Sequence, residues 1–104
     1  MQLNEILRSA IIPAFGILPT AMDTPQARVE LLTIGLQESG FQHRKQMGSG
    51  PARGFWQFEQ GTRQSRGGVW GVYLHDASRF WLERLCAYRS VQFLPESIWR
   101  ALET

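Results

Sequence analysis

The sequence predicts a mainly helical protein built as a single domain. Apolar residues recur at helical spacings in four stretches, 3–12, 25–39, 77–89 and from Pro95 onward. Helix punctuation stands at the ends of these stretches: Asp23 or Thr24 with Pro25 at one start, Gly40 at its stop, and Pro95 at another start. The length of 104 residues allows one core, and the chain holds no internal repeat, linker or heptad array.

In chain order, Leu3, Ile6, Leu7 and Ala10 share one face of a first helix over 3–12, which Pro13 is expected to end or kink. A connection over 13–22 follows, anchored by Phe15, Ile17 and Leu18. The second helix is the best marked. Placed at about 100° per residue, Glu30, Thr33 and Gln37 form a narrow polar stripe, and Val29, Leu31, Leu32, Ile34, Gly35 and Leu36 fill the remaining arc. This helix is expected to be enclosed, the spine of the core, with Gly35 admitting the close approach of another element. Residues 41–54 carry Gly48, Ser49, Gly50 and Pro51 and read as a Gly-rich loop or short hairpin. Residues 54–58 read as one helical turn, and 61–68 as an exposed, mobile loop. A short helix is expected over 69–74. A longer one over 77–89 is expected to be capped by Asp76, with Ala77, Phe80, Trp81, Leu85 and Tyr88 inward. The last helix runs from Pro95 through Ile98, Trp99 and Leu102 without a stop signal. The core is therefore expected to continue beyond Thr104, or Trp99 and Leu102 to be covered by another molecule, a second copy included.

Composition narrows the function. The single Cys86 rules out an internal disulfide, a Cys-based zinc site and an iron–sulfur cluster, and no His/Cys/Asp/Glu cluster has ligand spacing, so no metal or other cofactor is expected. His43 and His75 stand alone. No apolar run approaches the roughly 20 residues of a membrane span. Glu5 and Arg8 interrupt the N-terminal apolar pattern, which reads as folded protein and not as a signal peptide. The net charge is 11 − 9 = +2. Arg44, Lys45, Arg53, Arg63 and Arg66 make 42–68 basic, which suits either solvated loops or a polyanion.

Glu38 stands apart from the polar stripe of its helix, between the directions of Leu31 and Ile34. A carboxylate on an enclosed face is costly unless paired or protonated, and burial would push it toward the range of a general acid. The competing expectation is a Glu frayed into solvent or paired with Arg44 or Arg53. Downstream, Gly54-Phe55-Trp56-Gln57-Phe58-Glu59 offers rings that could stack on pyranose faces and one amide for hydroxyl or acetamido groups. The competing expectation is that Phe55, Trp56 and Phe58 are core.

Gln37-Glu38-Ser39-Gly40-Phe41, followed beyond a Gly-rich loop by Gly54-Phe55-Trp56-Gln57, resembles the signature of soluble lytic transglycosylases and goose-type lysozyme relatives. Those families carry Glu-Ser at the end of a helix and a Gly-Leu-Met-Gln type segment downstream. The segment from Pro51 to Glu59 most resembles small transglycosylase-like proteins of phages and prophages. The resemblance covers residues 29–59. It implies a lysozyme-like fold and cleavage of the β-1,4 bond between N-acetylmuramic acid and N-acetylglucosamine in peptidoglycan strands. It implies Glu38 as catalytic acid/base, Ser39 as its neighbour in the substrate site, and Gly54 and Gln57 as cleft residues, with Phe55 and Trp56 in place of Leu-Met. The family's later Ala-Tyr-Asn-x-Gly type motif is missing, which adds to the expectation of a C-terminally incomplete domain.

A transglycosylase needs one carboxylate, because the substrate's own hydroxyl closes onto the anomeric carbon. Ordinary hydrolases need two, and Glu59 is the candidate for the second, since Asp76 is assigned to a helix cap. The resemblance also implies synthesis in a bacterial cytoplasm, with delivery to the wall by other means. Two rivals remain: a module of the same fold that binds glycan or protein without cutting, and a nucleic-acid binder using the five basic residues near exposed tryptophans.

Overall fold

In the computed structural model, which describes residues 2–48 and 50–103, the chain opens with α1 (Leu3–Ile6), a π-helical turn (Leu7–Ile11) and α2 (Ile12–Phe15), three segments of one uninterrupted helix. Pro13 therefore does not end it. Proline has no N–H to return to the preceding turn. The helix absorbs this by widening one turn, and the Ile12 N–H reaches back five residues to the Leu7 carbonyl. Pro13 then falls in the first turn of α2, where the missing donor is harmless.

α3 (Pro25–Ser39) has the predicted bounds. The Thr24 hydroxyl accepts the Ala27 N–H at 3.0 Å, and Gly40 closes the helix in the left-handed region at φ 62°. Its environment differs from the expectation. Of its residues only Gly35 and Ser39 are buried, while Val29, Ile34 and Leu36 are exposed. Leu31 and Leu32 are half-buried against the core. The helix lies across the core on its Gly35 side instead of running through it.

Residues 54–58 form no helical turn. Arg53 and Phe58 exchange both backbone hydrogen bonds at 2.8 Å, and the Gln57 N–H closes on the Gly54 carbonyl at 3.0 Å. The result is a tight antiparallel hairpin. It reverses because Gly54 and Gln57 both take positive φ, 80° and 55°. Lys45 bridges to the other side of Arg53, so three short segments lie side by side. The 61–68 segment is exposed over 62–66, as expected, and bonds to itself. The Thr62 and Ser65 side chains each accept the other's N–H, and the Val69 and Trp70 N–H groups reach back to the Glu59 and Gln60 carbonyls.

Three helices complete the chain: α4 (Gly68–Leu74), α5 (Asp76–Arg89) and α6 (Pro95–Ala101). Asp76 is the first residue of α5, and no side chain caps that helix, so its assignment as a cap is corrected. The predicted inner face of α5 is also corrected: Phe80, Leu85 and Tyr88 are exposed, and Cys86 with Leu82 packs inward. Burial pushes the Cys86 thiol up from its ordinary pKa, with Glu83 adding to the effect.

Two apolar clusters form. Ile6, Ile11, Phe15 and Phe41 make one, flanked by Leu31, Leu32, Phe55 and Trp56. Val69, Cys86 and Ile98 make the other, flanked by Tyr73, Phe93, Trp99 and Leu102. A polar bracket joins them. Arg53 donates from Nε to Glu103 Oε1 at 2.6 Å and from Nη1 to the Gly50 carbonyl at 2.6 Å, and its guanidinium lies 4.7 Å over Trp99. Trp99 in turn donates to the Pro51 carbonyl at 2.9 Å. Trp99 and Leu102 thus make contacts within the chain, packed against the second cluster, and both stay half-buried. Among the described residues no helix is long and apolar enough to cross a membrane.

Candidate active site

Glu38 and Ser39 end α3, and the hairpin stands beside them. The joint between the two is the Ser39 hydroxyl. It is buried, donates to the Phe55 carbonyl at 2.6 Å and accepts the Phe41 N–H at 3.1 Å. Phe41 supplies the apolar half of the joint. Its ring lies against Gly35, where a Cβ would overlap it, and meets Phe55 and Trp56 edge-on at centroid distances of 5.6 and 5.5 Å. Gly35 therefore admits the neighbour that its position in the sequence suggested.

Beyond this joint lies an open cleft of about 460 Å³. Glu38, Trp56, Gln57 and Glu59 line it, together with Phe58 and the wall formed by Gly61, Ser65, Gly67 and Gly68. Ser39, Gly54 and Phe55 stand behind it. Ser39 has its hydroxyl committed to backbone. Gly54 is buried with Leu102 within contact distance of where a side chain would grow. Phe55 is covered on one side by the Arg44 guanidinium at 4.2 Å. These three shape the cleft from behind and offer a ligand no surface in it.

Glu38 is exposed, which corrects the expectation of an enclosed carboxylate. The salt bridge with Arg44 or Arg53 is absent too, since Arg53 is held by Glu103 and Arg44 lies on Phe55. Among the described residues Glu38 has no hydrogen-bond or ion-pair partner, and neither does the Glu59 carboxylate. Trp56 is half-buried and fixed in place: its Nε1–H donates to the Leu31 carbonyl of α3 at 2.8 Å. Gln57 lines the cleft and donates from Nε2 to the Gly54 carbonyl at 2.9 Å, and its Oε1 accepts no hydrogen bond among the described residues.

No family model, curated protein or solved structure matches the chain. Two uncommitted carboxylates, an amide and aromatic edges share one open groove. Among the described residues no group of three or more His, Cys, Asp and Glu is placed to hold a metal ion. Carboxylates of this kind can give and take protons, and the amide can hydrogen-bond.

Sequence reasoning missed the Gly61–Gly68 wall. A signal was present: Thr62 and Ser65 at a spacing of three, bracketed by Gly61 and the Gly67-Gly68 pair, mark a loop that bonds to itself.

Proposed function

We propose that the chain is a lysozyme-like domain that cleaves peptidoglycan in the manner of a lytic transglycosylase, with Glu38 as general acid and then general base. The observation supporting this reading is that Glu38, unpaired, shares a cleft with Trp56 and Gln57, as the resemblance over 29–59 requires. The glycan lies across Trp56 and Phe58, and the drying that proton transfer needs comes from the glycan itself as it covers the groove. Glu38 protonates the glycosidic oxygen as the bond to the anomeric carbon breaks. It then accepts the proton of the muramyl 6-hydroxyl, whose oxygen closes onto that carbon to give a 1,6-anhydro end. The enzyme would be made in a bacterial cytoplasm, on a phage or prophage gene, and would meet the wall after release or delivery.

One observation favours a second reading. Glu59 lines the same cleft, so a water activated by, or a glycosyl intermediate formed on, a second carboxylate would give hydrolysis with reducing ends. Digestion of purified peptidoglycan, with products resolved by mass, separates the two. Anhydro-muropeptides from wild type are expected, and Glu38→Gln is expected to lower their rate at least about a hundredfold. Because Glu38 is exposed and unpaired, the variant should melt with the wild type. Undiminished products from Glu38→Gln would refute the assignment, and reducing ends lost in Glu59→Gln would establish the hydrolase.

A further inference from the structure

The outer side of α5 is apolar and uncovered. Phe80, Leu85 and Tyr88 are 57, 39 and 69% exposed, while Leu82 and Cys86 on the other side of the helix pack into the second cluster. At about 100° per residue, Ala77, Trp81, Arg84 and Tyr88 fall in one narrow stripe at spacings of four, three and four. Phe80 and Ala87 flank the stripe on one side, and Ser78 and Leu85 on the other. Beyond Leu85 opens an apolar groove of about 260 Å³, between Trp81, Leu82 and Leu85 of α5 and Ile17, Leu18 and Met22 of the chain that follows α2. The Arg84 guanidinium lies over Trp81 at 5.3 Å and Phe80 at 5.9 Å. Glu83 and Arg84 are exposed, and among the described residues neither has a hydrogen bond or salt bridge. Adjacent residues of a helix point about 100° apart, so the two cannot meet within one chain. Arg79, one turn before Glu83, is turned away to the Tyr73 carbonyl at 3.1 Å.

We infer that this face of α5 binds the same face of a second copy of the chain, the two helices antiparallel about a two-fold axis at the midpoint of 77 and 88. The stripe is its own complement under that operation. Ala77 meets the second copy's Tyr88, a small residue against a large ring. Trp81 meets the second copy's Arg84, an indole face against a guanidinium. On the flanks, Phe80 meets the second copy's Ala87, and Leu85 meets its Ser78. The charges match as well. Glu83 and the second copy's Arg84 lie on the same side of the helix pair, about 3 Å apart in height, so the two-fold creates two ion pairs that a single chain cannot make. The groove of each copy lies on the Leu85 side, so the two grooves come together under the paired Leu85 side chains. An anionic lipid surface is the less favoured cover, because Asp76 and Glu83 border the same rings. None of these α5 residues lines the cleft, so pairing and cleavage are separable.

Sedimentation equilibrium of the full chain tests the pairing. One helix face makes a small interface, so the average mass should rise from 11.9 kDa toward twice that value between about 1 and about 500 µM. Arg84→Glu gathers four carboxylates about the two-fold, and Glu83→Arg gathers four cations. Each should weaken pairing at least about tenfold, and the two changes combined should recover most of it. Both residues are exposed and unpaired, so all three variants should melt with the wild type. Cross-linking tests the orientation. Oxidation of the double variant A77C/Y88C should give a covalent dimer, while Cys86 is buried and stays out of the reaction. Neither single cysteine variant should cross-link, since the two copies of position 77 lie about 16 Å apart along the helix pair. A wild type that stays monomeric over the whole range, or a dimer indifferent to the charge changes, would overturn the inference. So would cross-linking through one cysteine alone, or a monomer that binds phosphatidylglycerol vesicles through the same rings.

Discussion

Gly35→Ala tests how the site is held together, because two opposing effects predict opposite signs. Ala is the better helix former by about 1 kcal/mol in a helix interior. If Gly35 were an ordinary helical position, the substitution would stabilise. Here the new Cβ would overlap Cζ and Cε1 of Phe41. That ring is 1% exposed and cannot retreat freely, since Phe55 and Trp56 meet it edge-on at 5.6 and 5.5 Å. Overfilling a close-packed core costs about 1–3 kcal/mol, and an overlap with a confined aromatic ring belongs to the upper half of that range, so after the helix-propensity gain the net effect should be a loss of about 1–2 kcal/mol. For a domain of this size that is a fall in melting temperature of about 4–15 °C. Thermal melts and urea titrations read it directly, the urea midpoint falling with little change in slope. In a Phe41→Leu background the overlap is relieved, and the same substitution should become neutral or stabilising. A coupling of about 1 kcal/mol or more between the two positions is expected. A melting temperature for Gly35→Ala equal to or above wild type would refute the account of how α3 meets the hairpin.

Two further outcomes follow from the same geometry. Ser39→Ala leaves the Phe55 carbonyl and the Phe41 N–H without their partner at a buried joint, which should cost about 2 kcal/mol and reduce cleavage by loosening the hairpin against Glu38; a drop in melting temperature under about 2 °C would contradict it. The Asp23 carboxylate accepts two bonds from Arg28, at 2.7 and 2.8 Å, and these hold it below the usual carboxylate range. A lowered folded-state value means that the pair's contribution is present above the ordinary carboxylate pKa of about 4 and is lost as the pH falls through the lowered value. Asp23→Asn should therefore melt slightly below wild type at neutral pH, and the two curves should converge in acid; a constant offset at every pH would refute the assignment.

How legible each part was depended on how local its cause is. The bounds of α3 followed from Thr24, Pro25 and Gly40, whose hydrogen bonds and φ values need no distant partner. Its orientation did not. With apolar residues around most of the helix, nothing marks the buried side, and Phe41 decided it by settling on the one position without a side chain. On α5 the apolar residues do share a face, but α5 meets the second cluster through Cys86 and Leu82, on the other side. The hairpin at 53–58 is made by bonds across the chain, to which helical periodicity is blind. The cleft residues divided in the same way. Glu38, Trp56, Gln57 and Glu59 are in the groove, while the packing that puts Ser39, Gly54 and Phe55 behind it comes from Phe41, Leu102 and Arg44. The carboxylate was placed on the correct element but in the wrong medium, because enclosure was inferred for a helix that is half in water.

The division of the apolar residues into two clusters bears on the site as well as on stability. One wall of the cleft, with Glu38 and Trp56, belongs to the first cluster; the other, Gly67 and Gly68, leads directly into Val69 of the second. The groove is a seam between two clusters whose buried side chains are separate, bridged by Arg53 with Glu103, by Trp99 on the Pro51 carbonyl and by Leu102 against Gly54. A polymer lying in the groove would therefore act as a further rivet, favouring the docked arrangement by mass action in proportion to its occupancy. Each departing product would remove that rivet. The mutual grip of the halves would thus be strongest while the cleft is filled and weakest between successive strands.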